Sequence, residues 1–202
     1  MLDSLRQPLE AGECVIARAN HRVTYPANIQ LVAAMNPCRC GMAGEPGHTC
    51  ARGPRCRADY QARISGPLLD RIDIRIDVPA VQAGDLIRPG VSETSATVAA
   101  RVERARRLQV ERYREMGRAD IRTNSQCSTA LIETVAAPDA PGQALLSEAA
   151  EKLRFSARAY HRILKVARTL ADLDGRDTVG RIHLAEAISY RVVSDQNSAV
   201  AA

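Results

Sequence analysis

Four cysteines, Cys38, Cys40, Cys50 and Cys56, lie within nineteen residues of this 202-residue chain. Thiolates are preferred zinc ligands, and four of them close a tetrahedral site with no position left for a water. The spacing therefore predicts a small structural zinc site, with His48 able to replace one ligand. Free thiols in a loop without metal are the alternative interpretation of the same residues.

Two residues along the first half of the chain have side chains suited to a bound phosphate. Asn36 ends a mostly apolar run, and ligands of open α/β sheets bind beyond the carboxyl ends of strands. Arg71 follows a short apolar turn, from which an arginine can stabilise charge on a phosphoryl group bound elsewhere. The alternative for Asn36 is an amide that only hydrogen-bonds within a turn. The alternative for Arg71 is a salt bridge with Asp70 or Asp73.

Arg158 lies in the first turn of a predicted helix whose N-cap is Ser156. The helix dipole disfavours a cation there by about 0.3–1 kcal/mol, so a nearby anion would account for this arginine. A solvent-facing arginine is the alternative. Arg162, Lys165 and Arg168 share the polar side of the same helix and equally suit a solvated face.

Two basic segments suggest contact with nucleic acid. Arg18, His21 and Arg22 surround the turn of a predicted hairpin, and they are the better candidates for DNA. The stretch 101–122 contains eight arginines against four acids. Its glutamates at helical spacing suit a solvated, ion-paired face, which is the interpretation we favour there.

The composition indicates a soluble globular protein that binds anions. The net charge is +5, and Lys152 and Lys165 are the only lysines, so arginine supplies most of the basic groups. Arginine binds phosphate in a planar, bidentate manner; biased codon usage is the alternative explanation. An aromatic content of 3% argues against base-stacking surfaces. Without a long apolar run or a signal peptide, and with six cysteines interpreted as thiols, we expect a cytoplasmic protein.

Hydrophobic periodicity predicts the end of an α/β unit followed by a helical domain. The elements expected before residue 80 are a helix at 2–10, a hairpin of strands 13–18 and 22–25, a buried strand at 29–35, a cysteine-rich insert at 37–57, a helix at 57–64 and a strand at 72–78. A linker is expected at 81–93. The helices expected after it lie at 94–117, 143–153, 156–173 and 181–193, before a tail at 196–202.

Long stretches of the chain resemble magnesium-chelatase-like AAA+ ATPases, most closely the competence-associated ComM (YifB) branch. These stretches are 2–10, the predicted hairpin, 31–41, 65–73, 101–106 with Gln109, 156–173 and 183–187. The resemblance implies an α/β-plus-α fold, in which residues 1–80 are the C-terminal part of an AAA+ P-loop core and residues 94–195 are the helical lid domain.

The same resemblance implies roles for the residues named above. Asn36 corresponds to sensor 1, Arg71 to the arginine finger offered to the ATP of a neighbouring subunit, and Arg158 to sensor 2. The hairpin at 18–22 would face DNA in the channel of a hexameric ring. The implied activity is ATP- and Mg²⁺-dependent branch migration or unwinding during DNA uptake and recombination.

One departure from that family is large. The sequence contains no Gly-x-x-x-x-Gly-Lys-Ser/Thr phosphate loop and no apolar strand ending in Asp-Glu. We therefore expect a fragment whose phosphate loop lies upstream of Met1, and which does not hydrolyse ATP alone. The alternatives are a subunit of a metal-inserting chelatase and a non-enzymatic, zinc-bearing DNA-binding module.

Overall fold

The computed structural model describes residues 2–41, 49–50, 52–53, 55–79, 81 and 92–192. The chain divides into two compact units, of which unit 1 ends at Ile72 and unit 2 begins at Asp73. The domain boundaries expected from the sequence remain a prediction. Within the described residues, no helix is both long and apolar enough to cross a membrane.

Unit 1 consists of short elements. A 3₁₀ turn at Leu2–Leu5 is followed by α1 (Arg6–Ala11), β1 (Glu13–Arg18), β2 (His21–Pro26), α2 (Cys56–Gln61) and α3 (Gly66–Leu69). Gly12 ends α1 with a φ of 68°, and its N–H donates to the Pro8 carbonyl at 3.0 Å. A Cβ at residue 12 would approach Asn28 Oδ1 to 2.6 Å and would have to adopt this positive φ, so a substitution displaces the Asn28 side chain and strains the backbone.

The predicted hairpin is confirmed. Strands β1 and β2 are antiparallel, with Glu13 opposite Pro26 and Arg18 opposite His21. The turn between them contains Ala19, whose φ of 42° is unusual for a residue with a Cβ. The hairpin is largely exposed on both faces.

The two further strands predicted in this half of the chain are wrong. Residues 29–35 and 74–78 run without regular secondary structure. Their side chains do not form a core either, since Val32 is 86% exposed and Val78 is 87% exposed. A strand needs a neighbour to accept and donate its backbone hydrogen bonds. Among the described residues, the only sheet is the β1–β2 pair, which pairs with neither segment.

Unit 2 is helical, as predicted. Its elements are α4 (Ser95–Glu115), a 3₁₀ turn at Asn124–Gln126, α5 (Thr129–Val135), α6 (Ala140–Lys152), α7 (Ala157–Leu173) and α8 (Arg181–Val192). Helix α6 begins three residues earlier than predicted, because the Asp139 side chain accepts from the N–H of Gly142. Helix α5, which begins after the capping residue Ser128, was not predicted.

Helix α7 lies at the centre of the apolar core of unit 2. The predicted apolar face is confirmed, since Ile163, Leu164, Ala167 and Ala171 are at most 1% exposed. Side chains of the surrounding helices complete the core: Tyr113, Ile132, Leu146 and Leu184. Almost all of these are aliphatic, as expected from a chain with so few aromatic residues.

Candidate functional site

The four clustered cysteines of the sequence lie together in unit 1. The sulfurs of Cys38 and Cys40 are 3.0 Å apart, and those of Cys40 and Cys50 are 3.2 Å apart. The sulfurs of Cys38, Cys50 and Cys56 all lie within 4.8 Å of one another. The thiols are free rather than joined in disulfides. His48, the alternative ligand, lies outside the described residues.

Two turns of the same kind position these sulfurs. The N–H of Gly41 donates to the Cys38 carbonyl at 3.1 Å, and the N–H of Gly53 donates to the Cys50 carbonyl at 3.0 Å. Both glycines have a positive φ, 81° and 88°, which a residue with a Cβ rarely adopts. Cys56 then begins α2, so the fourth sulfur is placed by a helix.

The thiols of this cluster interact with one another. A hydrogen bond with Cys40 raises the pKa of the Cys50 thiol to about 12. Cys38 is buried, whereas Cys40 and Cys50 are partly exposed. The arrangement offers a cation several soft sulfur ligands at one point.

Asn36 lies two residues before Cys38, on an exposed segment without regular secondary structure. The next residue, Pro37, accepts a hydrogen bond from Gln61 Nε2 of α2 at 3.4 Å. This contact ties the segment that carries the Asn36 amide to α2. Sequence reasoning missed Gln61, because nothing in its spacing links it to Pro37.

Arg71 lies just after α3, which Ser65 caps by accepting from the N–H of Leu68 at 3.3 Å. Arg71 Nη1 donates to the Pro67 carbonyl at 2.6 Å, and the guanidinium forms an ion pair with Glu10. Only 8% of the Arg71 side chain is exposed. Asp70 and Asp73 were the partners that the sequence suggested, whereas the actual partner, Glu10, is sixty-one positions away along the chain.

Arg158 lies in the first turn of α7 in unit 2, and it is exposed. Ser156 caps this helix as predicted, accepting from the N–H of Ala159 at 3.1 Å. Three N–H groups at the start of the helix and the helix dipole therefore favour an anion near Arg158. Its assignment as a nucleotide sensor remains a prediction.

The basic residues of the hairpin are placed around its turn. Arg18 and His21 form the last pair of the ladder and lie on one face, whereas Arg22 is opposite Ala17 on the other face. All three are exposed. The end of the hairpin therefore presents cationic side chains on both of its faces.

A solvated face, one of the alternatives left open for the polar side of α7, does not hold at Arg168, which is 1% exposed. Arg168 Nε donates to Asp172 Oδ1 at 3.1 Å, and its Nη1 donates to the Asp177 carbonyl at 2.5 Å. Arg112 of α4 forms a second ion pair with Asp172. The i, i+4 spacing of Arg168 and Asp172 could have indicated their ion pair from the sequence. Nothing in the sequence indicated that Arg112 also pairs with Asp172.

Three neutral side chains complete this buried polar network. Asn124 Nδ2 donates to Asp172 Oδ2 at 2.9 Å, and Asn124 Oδ1 accepts from the Tyr113 hydroxyl at 2.6 Å. Cys127 Sγ donates to the same hydroxyl at 3.0 Å. Burial raises the pKa of Tyr113. The network is enclosed by helices, which indicates a structural role rather than a binding site.

Two family models match the chain. The model described as magnesium chelatase, subunit ChlI, matches residues 1–86, and the model described as magnesium chelatase, subunit ChlI C-terminal, matches residues 92–191. Together they include Asn36, Arg71, Arg158 and the four clustered cysteines.

Similar proteins are known from several bacteria. Competence protein ComM of Haemophilus influenzae is 43% identical over 195 residues, which are 96% of this chain and 36% of that protein. The uncharacterized protein YifB of Escherichia coli is 38% identical over 197 residues, 95% of this chain and 36% of YifB. An uncharacterized Mycobacterium tuberculosis protein is 37% identical over 190 residues, 94% of this chain and 37% of that protein. The chain thus spans little more than a third of the length of these relatives.

Proposed function

Because the chain belongs to the magnesium-chelatase ChlI-like family, we propose that it supplies one portion of an ATP-dependent, ring-shaped motor that acts on DNA in the cytoplasm. The observation that carries this function is the position of Arg71. Its guanidinium is held at the end of a capped helix by the Pro67 carbonyl and Glu10. To stabilise phosphoryl charge on a nucleotide that another subunit binds, the guanidinium would exchange Glu10 for the phosphoryl oxygens while α3 keeps the backbone of Arg71 in place.

Three residues of this chain face the nucleotide in the proposed motor. Arg71 acts in trans, which requires a homo-oligomeric ring, and a hexamer is the assembly we propose. Asn36 orients the attacking water, and Arg158 approaches the phosphates from the start of α7. ATP supplies the phosphoryl group, and Mg²⁺ supplies positive charge that neutralises the phosphate oxygens. This sequence contains no phosphate-loop lysine, so the chain itself does not supply that ligand of the ATP phosphates.

DNA is the proposed substrate because the relatives include a competence protein and because the hairpin presents basic side chains. Arg18, His21 and Arg22 would contact phosphates in the ring channel without reading the sequence of the DNA. The cysteine cluster has no part in phosphoryl transfer, since four thiolates leave no open position on a metal.

The purified 202-residue chain is expected to show no ATP turnover above a blank, because it lacks the residues that hold the β- and γ-phosphates. A chimera in which this chain replaces the matching 195 residues of the Haemophilus relative is expected to hydrolyse ATP. Phosphate release measured for both proteins tests the expectation. Turnover by the chain alone that Arg158→Ala abolishes would contradict it, as would an assembled but inactive chimera.

The hairpin is expected to bind DNA through its phosphates. Removing two contacts with the double variant Arg18→Ala, Arg22→Ala should reduce the slope of log K against log salt concentration by about 2. The matched control is Arg106→Ala, Arg114→Ala, which removes the same charge from exposed positions of α4. Fluorescence anisotropy of a labelled duplex at several salt concentrations measures both. If the control reduces the slope by the same amount, the binding depends on net charge and not on the hairpin.

Two other functions have some support. The ChlI family models favour a subunit of a metal-inserting chelatase, although the cysteine cluster and the basic hairpin favour the DNA motor. The cysteine cluster also suits a non-enzymatic, zinc-bearing DNA-binding module. If the chimera binds DNA and neither ATP nor Arg71→Ala changes that binding, the result would support the zinc-bearing module over the motor.

A further inference from the structure

We propose that Cys38, Cys40, Cys50 and Cys56 bind a single Zn²⁺ through four thiolates, and that this ion stabilises unit 1 in place of an apolar core. Binding of a metal here requires neither nucleotide nor DNA. The site therefore stands apart from the motor function proposed above, and its test does not depend on that function.

The separations of the sulfur atoms suit one ion. Zn–S bonds of about 2.3 Å place the sulfurs of a tetrahedral site about 3.8 Å apart. The sulfurs of Cys38, Cys50 and Cys56 lie within 4.8 Å of one another. The Cys40 sulfur is 3.0 Å from that of Cys38 and 3.2 Å from that of Cys50. Cys38, Cys50 and Cys56 therefore form the group that can share one ion, and Cys40, whose sulfur contacts two of them, would supply the fourth ligand after moving outward from its short contacts. The cysteines of an iron–sulfur cluster bind different iron atoms and need wider separations.

The local backbone is built for paired ligands. The turns that end at Gly41 and Gly53 have the same hydrogen bond and nearly the same glycine φ. Each turn holds a cysteine at its first position, and together they present sulfurs to a common point without help from a sheet. Four convergent soft ligands in this arrangement favour Zn²⁺ over Mg²⁺ or Ca²⁺, which prefer oxygen.

Unit 1 has little else to stabilise it. Among its described residues, only Cys38, Cys56 and Leu68 are buried, and two of these three are cysteines. The described apolar core lies in unit 2. Helices α2 and α3 have six and four residues, which is too short for a helix to persist by itself in water. Small units with so little core depend on disulfides or on a metal.

The ion would also connect the residues on either side of the cluster. Cys38 lies two residues after Asn36, and Cys56 begins α2, whose Gln61 donates to the Pro37 carbonyl. A metal bound to both cysteines joins the Asn36 segment to α2 and thereby orders the chain that leads to Arg71. Because metal binding requires the folded arrangement, its free energy stabilises that arrangement.

The test is zinc content and amide hydrogen exchange of the reduced full chain, loaded with Zn²⁺ and then treated with a chelator. We expect one zinc per chain, lost in Cys50→Ser and in Cys56→Ser and retained in the control Cys14→Ser, whose thiol lies in β1. Removal of zinc should accelerate exchange in peptides spanning residues 36–71 by about tenfold or more. Peptides of α7 should be unchanged, which provides an internal control.

The outcomes separate clearly. Equimolar zinc with exchange that accelerates only in residues 36–71 supports the proposal. It is overturned by a chain that takes up no zinc, by zinc that both serine variants retain, by an iron–sulfur chromophore, or by zinc loss that leaves exchange in residues 36–71 unchanged. If the serine variants do not fold, chelator titration of the unaltered chain gives the same comparison.

Discussion

Replacing Asp172 with asparagine is expected to lower the free energy of unfolding of unit 2 by about 3–5 kcal/mol. The Asp172 side chain is fully buried and pairs with Arg112 and Arg168. Asparagine keeps the shape but removes the charge, so Arg168, which is itself 1% exposed, is left without a carboxylate inside the protein. Urea unfolding, followed by the slowest-exchanging amides of α7, measures the change.

The control for this prediction is Asp174→Asn. It removes the same charge two residues later, from a side chain that is 57% exposed and pairs with His183. Because the Asp174 carboxylate is solvated and asparagine keeps an oxygen that can accept from His183 Nε2, the control should change stability by at most about 1 kcal/mol. Equal losses in Asp172→Asn and Asp174→Asn would show that the buried network does not stabilise the helices around it.

The second large effect is expected at Arg71. In the chimera described above, Arg71→Ala should lower kcat for ATP by about 10³–10⁵, the range found when an arginine finger is removed. The reason is that the guanidinium stabilises negative charge on the transferred phosphoryl group, and this stabilisation is needed most in the transition state. Steady-state phosphate release measures kcat, and nucleotide binding should change far less than kcat.

Arg63→Ala is the matched control for that variant, since Arg63 lies in the same unit and is exposed. Action in trans adds a further test, in which Arg71→Ala subunits are mixed with subunits that cannot bind nucleotide. Mixed rings should recover part of the activity that each variant lacks alone, because intact fingers then face intact nucleotide sites. Full activity of Arg71→Ala, or a loss in Arg63→Ala of the same size, would contradict the assigned role.

Local features of the fold could be predicted because short-range chemistry controls them. Ser156 accepts a hydrogen bond from the first turn of α7, as its side chain and position indicate. The hairpin register follows from alternating residues around a two-residue turn. The apolar face of α7 follows from helical periodicity. The convergence of the cysteines was predicted from spacing, together with glycines that permit tight turns.

The wrong predictions concern interactions beyond the local chain. The segment 29–35 has the composition of a buried strand, yet composition does not supply the neighbour that a strand must pair with. The polar side of α7 suggested solvent exposure, but α4 approaches it and buries Arg168. A polar side chain on a helix is compatible with water or with a buried partner, and periodicity does not distinguish them.

By itself, then, the amino-acid sequence determined four of the five described helices of unit 2, the hairpin, the cysteine cluster and the likeness to the ChlI family, since each depends on residues close together or on long matching stretches. Only the tertiary structure decided that Arg112 meets Asp172 sixty positions away and that Glu10 meets Arg71. The physical reason is that a charged side chain can form an ion pair with any opposite charge that the fold brings close to it. Which charge that is depends on how whole elements pack, and no spacing along the chain contains that information.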